Sequence, residues 1–424
     1  MKFETLCLHA GQEVDPTTQS RGVPIHRTSS YVFKNVEHAS NLFSLKELGN
    51  IYTRLMNPTQ DVLEKRVAAL ENGLGSLALS SGSSAIFYSI INLAQAGDEI
   101  VSSSALYGGT FTQFSTVLPR FGITVKFVDP SSPANFAQAI TPRTRALYTE
   151  SIGNPGLIVS DIPAIAEVAH AHGLPLIVDA TFATPYLQRP IDLGADIVVH
   201  SLTKWLGGHG TGIGGIVVDS GKFDWTQERF DLFNQPDGGY HGLRFAHDLG
   251  ELAPLAYILR MRLIPLRNLG ACIAPDNAWI FLQGIETLHL RMERHCQNAL
   301  KVAQFLKGHK AVSWVNYPGL EDDPQHHTAK KVLHNGYGAV VVFGVTGGRA
   351  AGGKFIDNLK LISHLANVGD AKSLALHPAS TSHSQLSEAD QIRAGVKPEL
   401  VRLAIGIEHI DDIIADLEQA LSKI

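Results

Sequence analysis

Lys204 carries the clearest chemistry in this chain. It lies in Ser201-Leu202-Thr203-Lys204-Trp205-Leu206-Gly207-Gly208-His209-Gly210, directly after Ala195-Asp196-Ile197-Val198-Val199-His200, an apolar run short enough to be a buried strand. One amine thus stands at a strand end beside the hydroxyls of Ser201 and Thr203 and several glycines. An amine desolvated there loses its proton easily and becomes a nucleophile toward an aldehyde. Its companion is Leu176-Ile177-Val178-Asp179, an apolar strand delivering a carboxylate at its C-terminal end, where open α/β sheets bind ligands. A lysine that forms an imine with an aldehyde, and an aspartate that keeps a pyridine nitrogen protonated so that the ring draws electrons from a carbanion, together suggest pyridoxal 5'-phosphate.

A phosphate needs a cradle of its own. Ser80-Ser81-Gly82-Ser83-Ser84 follows a strand and opens a helix, so it reads either as a serine N-cap or as a phosphate site built from amides at a helix N-terminus. Arg54, two residues after Tyr52, offers a planar fork to phosphate oxygens, or is an ordinary loop arginine. Tyr107, before two glycines, and Asn154, before Pro155, also have plain readings as turn residues. Arg402 sits in an extended apolar segment where a lone guanidinium is costly to bury; it is expected to have a carboxylate partner, from this chain or from a substrate.

Strands and helices alternate from Ser76 onward: Leu77-Ala78-Leu79 and a helix from Ser83, Ile100-Val101 and a helix over Phe111 to Phe121, Val125 to Val128 and a helix near Phe136, Ala146 to Tyr148 and a helix from Ile162 to His172. That alternation implies parallel β-α-β units with helices on both faces of a sheet. Residues 1–60 read as an irregular arm, 61–275 as the large cofactor-binding domain and 276–424 as a C-terminal domain. The last begins with a long amphipathic helix over Ala278 to Leu300, contains the strand Ala339 to Phe343 and closes on the helix Ile410 to Leu421. Two domains suit a length of 424 residues.

A net charge of −5 gives no bulk attraction for nucleic acid or an anionic membrane, so an anionic substrate needs a local cation. Cys7, Cys272 and Cys296 have no metal or disulfide spacing, which fits a reducing cytoplasm. The start lacks the apolar core of a signal peptide, and no uncharged apolar run approaches the ~20 residues of a membrane span. The nineteen histidines include no H-E-x-x-H and no Cys/His pairing, so no metal is expected. Gly210-Thr211-Gly212-Ile213-Gly214-Gly215 matches G-x-G-x-x-G, but it leads into Ile216-Val217-Val218 rather than a helix, the wrong context for a dinucleotide.

Lys204 and Asp179, with Tyr52-Thr53-Arg54, Tyr107-Gly108-Gly109-Thr110, Asn154-Pro155 and Val401-Arg402-Leu403-Ala404-Ile405-Gly406-Ile407-Glu408, give the chain its likeness. It resembles, over nearly its whole length, the cysteine/methionine-metabolism branch of fold-type I pyridoxal-phosphate enzymes. Within that branch it is similar to O-acetylhomoserine sulfhydrylases, through Leu8-His9-Ala10-Gly11, Tyr240-His241-Gly242, Asn367-Val368-Gly369-Asp370 and His377-Pro378-Ala379-Ser380-Thr381. The resemblance implies an α/β fold-type I transferase with a large mostly parallel sheet domain and a smaller C-terminal α+β domain. It assigns phosphate binding to Gly82, Ser83, Ser201 and Thr203, with Tyr52 and Arg54 reaching into a neighbouring subunit's site in an obligate dimer, usually paired into a tetramer. It stacks Tyr107 on the pyridine as a proton carrier, gives Asn154 the ring hydroxyl oxygen, and makes Arg402, assisted by Asn367, the clamp on the substrate α-carboxylate.

The implied reaction is γ-replacement: Lys204 acts as base, acetate leaves Cγ with help from Tyr52 or Tyr107, and sulfide or a thiol adds there to give homocysteine or methionine. A γ-lyase releasing a 2-oxoacid and a cystathionine γ-synthase share every cofactor residue; a non-catalytic binding protein would leave the coincidence of Lys204, Asp179 and Arg402 unexplained. Two departures from the family pattern stand out. Asp179 is followed by Ala180 where asparagine is usual, implying a missing hydrogen bond behind the aspartate, and Ser83 stands where bulkier residues are common.

Overall fold

The computed structural model describes residues 1–381, 384 and 396–424. The strands are β1 Gly75–Leu79, β2 Glu99–Ser103, β3 Thr124–Val128, β4 Thr144–Glu150, β5 Leu176–Asp179, β6 Ile197–Ser201, β7 Gly215–Asp219, β8 Val312–Asn316, β9 Val340–Val345, β10 Ser363–His364, β11 Leu374–Leu376 and β12 Leu400–Ala404. The first seven form one sheet in the order β1-β7-β6-β5-β4-β2-β3. Its β6-β5-β4-β2-β3 stretch is parallel throughout, while β7 runs against both β1 and β6.

Side chains alternate across this sheet, as strand geometry requires. Val178 and Val198 pack into one core with the helices Pro58–Glu71 and Ile162–Ala171. Ile177, Ile197 and Val199 pack into the core on the opposite face. A sheet covered on both sides needs continuous apolar strands, which is why L-I-V-D and I-V-V-H-S are buried along nearly their full length. The parallel strands β4, β5 and β6 end side by side at one rim, where Glu150 and Asp179 sit in register.

The remaining strands make a second, smaller sheet, β10-β11-β12-β9-β8, antiparallel except for β10 against β11. One face holds a separate core in which Val341, Phe343, Val401 and Leu403 meet residues of the helices Leu288–Lys307, Gly348–Asn358 and Ile410–Leu421. The last of these helices runs over the residues expected from its apolar face. Among the described residues, no helix is long and apolar enough to cross a membrane.

Three expectations change. The arm is not wholly irregular: it contains the helices Phe3–His9 and Val36–Phe43, and the first buries Cys7 in the same core as Leu63 and Val67 of the helix that follows the arm. The helix expected over Phe111 to Phe121 is a short α-helix, Gly108–Thr112, continued by a wide π turn and a tight 3₁₀ turn. The single helix expected from Ala278 to Leu300 is two, Pro275–Glu286 and Leu288–Lys307, broken at Thr287 (φ −108°, ψ 13°). A side chain inserted into the helical ladder explains the break: the Arg291 guanidinium donates to the Gly284 carbonyl at 2.6 Å and to the Trp205 carbonyl at 2.7 Å, pulling this corner onto the loop that carries Lys204.

Candidate active site

Lys204 follows β6 in a compact turn, in which its own N–H donates to the Ser201 carbonyl at 3.2 Å and its carbonyl accepts from Gly208 at 2.7 Å. The side chain points into a cavity of about 270 Å³ whose walls include Gly82, Ser83, Tyr107, Asn154, Asp179, Ser201, Thr203, Asn367 and Arg402. Burial, with the Arg402 charge adding to it, lowers the Lys204 amine to about 8. Its Nζ donates to Asn367 Oδ1 at 2.5 Å, a partner that cannot itself take a proton.

Asp179 ends β5 on the same rim. Its Oδ1 accepts from the Thr181 N–H at 2.9 Å. Burial raises the carboxyl, and the Thr181 hydrogen bonds pull it back down. Ala180, which breaks the family pattern, is fully buried and spends its N–H on the Val199 carbonyl at 2.9 Å, so the observed support of Asp179 comes from Thr181.

At the opposite wall the helix Gly82–Ile91 begins. Ser81 is its N-cap, its hydroxyl accepting from the Ser84 N–H at 3.0 Å, so the plain capping reading is realised while Gly82 and Ser83 still face the cavity. A Cβ on Gly82 would lie 2.7 Å from Ser201 Cβ; glycine is what lets this helix end approach β6. Ser201 and Thr203 line the same wall, with the Thr203 hydroxyl tied to Gly214 by donating to its carbonyl at 3.2 Å and accepting from its N–H at 3.1 Å.

Arg402, on β12 of the smaller sheet, closes the other side. It is 9% exposed and has no ion pair among the described residues. Its Nη1 donates to Asn154 Oδ1 and its Nη2 to the Asn367 main-chain carbonyl, both at 3.2 Å. Among the described residues, no salt bridge holds this arginine; its partners are neutral oxygens, and it faces the cavity. Asn367 thus touches Lys204 through its side chain and Arg402 through its backbone.

Tyr107 stands half exposed at the mouth. Gly109 makes room for it, since a Cβ there would lie 2.5 Å from the ring. Tyr52 and Arg54 are not brought into this cavity: they sit in the arm, with the Arg54 guanidinium 5.2 Å from the Tyr52 ring centre. Glu150, absent from the sequence-based set, lines the cavity and accepts from the Tyr107 N–H at 2.7 Å. It closes β4 in register with Asp179 on β5, a match that only the paired strands reveal.

The residues fit pyridoxal phosphate on physical grounds. Two buried groups of opposite sign, Asp179 and Arg402, lack counter-ions among the described residues, and burying such charges unpaired is costly. A protonated ring nitrogen would supply the cation for the first, and a carboxylate would supply the anion for the second. Between them lies a nucleophilic amine, and beside it the helix end and hydroxyls suited to a phosphate.

Comparison with known proteins agrees. Residues 4–422 match the family described as Cys/Met metabolism PLP-dependent enzyme. An O-acetyl-L-homoserine sulfhydrylase of Leptospira meyeri is 56% identical, covering 100% of this chain and 97% of the relative. A homocysteine synthase of Schizosaccharomyces pombe is also 56% identical, covering 99% of this chain and 98% of the relative. A crystal structure from Campylobacter jejuni, described as that of an O-acetylhomoserine (thiol)-lyase and holding pyridoxyl phosphate on a lysine, superposes with a TM-score of 0.95 at 41% identity over 100% of both chains. This chain belongs to the Cys/Met-metabolism family of pyridoxal-phosphate-dependent enzymes.

Proposed function

We propose that this enzyme is an O-acetyl-L-homoserine sulfhydrylase: it replaces the acetate on Cγ of O-acetylhomoserine by sulfide, or by a thiol, to give homocysteine or methionine. The full-length relatives named for that activity support the substrate. The observation that carries the chemistry is the convergence on one cavity of a Lys204 amine lowered by burial, the Asp179 carboxyl and an Arg402 with no ion pair among the described residues.

Bound there, pyridoxal phosphate supplies an aldehyde and an electron-accepting ring that make the substrate's Cα and Cβ protons removable. The protein's own residues do the rest. Asp179 holds the proton on the ring nitrogen, and Asn154 meets the ring oxygen. Gly82, Ser83, Ser201 and Thr203 grip the phosphate, completed by Tyr52 and Arg54 of a neighbouring subunit. Arg402 clamps the α-carboxylate with its planar fork, with Asn367 alongside. Lys204, held by Asn367 through an N–H, keeps its lone pair for carrying protons at Cα and Cβ, while Tyr107 or Tyr52 assists as acetate leaves.

The reading includes residues 61–275 as the cofactor domain, 276–424 as the C-terminal domain, and an arm over 1–60 that serves a homotetramer built of dimers. Apolar side chains left open on the arm, Val32 at 98% and Val36 at 87% exposed, support that role. Three free thiols support a cytoplasmic location.

The test is product analysis of protein and pyridoxal phosphate with O-acetylhomoserine, with and without sulfide. Homocysteine formed only with sulfide is expected. Dominant 2-oxobutanoate in both samples would move the enzyme to the γ-lyases, and homocysteine replaced by cystathionine when cysteine is offered beside sulfide would make it a cystathionine γ-synthase.

A further inference from the structure

Glu150 has no place in the chemistry above, yet it is the more buried of the two carboxyls on the cavity wall, 6% exposed against 9% for Asp179. It closes β4 in register with Asp179 on β5, so the two side chains leave the sheet on the same face, one strand spacing apart. Asp179 is held by its own next turn, through Thr181. Glu150 instead reaches across to a different loop: its Oε1 accepts from the Tyr107 N–H at 2.7 Å, the first residue after β2 and its turn. One side chain therefore ties the segment carrying Tyr107 to the strand end beside Asp179.

The Tyr107 ring has little else to place it. It is 52% exposed, and Gly109 behind it leaves the space the ring occupies. Asn154, by contrast, is held by Arg402, from which its Oδ1 accepts. A change at the Glu150 carboxyl thus reaches Tyr107 directly.

We propose that Glu150 is a positioning residue for the reaction: by the reach of its side chain, and not by its charge, it sets where Tyr107 stands around the cofactor ring. This rests on the reading of the cavity as the cofactor site. Burial, then the neighbouring Asp179, push the Glu150 carboxyl well above the usual carboxylate range, so a glutamine is a close mimic of the group as it stands.

Two substitutions separate reach from charge. Glu150→Gln keeps the length and an acceptor oxygen; Glu150→Asp keeps the acid but is one methylene short of the Tyr107 N–H. The expected result is that Glu150→Gln retains kcat within about threefold, whereas Glu150→Asp loses about 10²-fold, the scale on which a misplacement of about 1 Å acts, with the visible circular dichroism of the bound cofactor diminished. In the cofactor-free protein, hydrogen exchange of the peptide spanning 104–110 should quicken in Glu150→Asp and not in Glu150→Gln. Glu150→Asp with wild-type turnover and exchange, or Glu150→Gln as impaired as Glu150→Asp, overturns the proposal. Because the exchange measurement needs neither cofactor nor substrate, its outcome stands even if wild-type product analysis assigns another reaction.

Discussion

The site's chemistry depends on one amine being free of its proton near neutrality. Below about 8 the Lys204 amine is charged, and above it the lone pair is available. Acylation of Lys204 in the cofactor-free protein should therefore be half-maximal near pH 8, with mass spectrometry of the labelled peptide as readout; a midpoint near that of an ordinary lysine, about 10.4, would refute it. Arg402→Gln removes the nearby positive charge, and the midpoint should move up. At the substrate end, Arg402→Lys replaces a fork by a point charge and should raise KM for the amino acid by about 10²-fold, the cost of about 3 kcal/mol of lost bidentate contact; near-normal kinetics would remove the assignment. The residues behind these predictions were legible because chemistry announces itself by type and spacing. Glu150 was not, because its partner Tyr107 lies forty-three positions away, and only folding reveals that the two meet.

At the scale of elements, legibility followed the local signals. Strands buried on both faces read correctly as apolar runs, and the closing helix read correctly from its one-sided pattern. The helix over Ala278 to Leu300 did not, because its break is made by Arg291 reaching carbonyls in the Lys204 loop, a tertiary cause with no local trace. Arg402 shows the same limit from another side: burial cost says that a carboxylate is needed and not where it comes from, and the described residues put neutral oxygens beside it. Close approach between elements gives a further prediction. Gly369, at φ +79°, lies where a Cβ would come within 2.5 Å of Trp205 N, docking the Asn367 loop onto the Lys204 turn. Gly369→Ala should destabilise the fold by about 1–3 kcal/mol from backbone strain alone, seen by calorimetry as a lower melting temperature, and should reduce turnover as the loop backs away; unchanged melting and turnover would show that the docking does not matter.

At the scale of the whole molecule, a single chain brings together every predicted site residue except Tyr52 and Arg54. If a neighbour supplies them, each active site needs two chains, and inactive parents can repair one another. A mixture of Lys204→Ala and Arg54→Ala chains, unfolded together and refolded, should regain activity that neither has alone. Assemblies that stay inactive despite confirmed mixing would place both residues outside the site. On the proposed reading the smaller sheet also serves the chemistry: its β12 and the loop ahead of β11 carry Arg402 and Asn367, so substrate grip and proton transfer would be joined across the two sheets.

Asn367 holds the amine through its side chain and the guanidinium through its main chain. Its second contact survives any substitution, whereas one residue inserted or deleted between it and Gly369 would shift both contacts together. The segment is in that sense a ruler: its length sets both contacts at once, and libraries that vary loop length here should return inactive proteins far more often than libraries that vary composition outside Asn367 and Gly369.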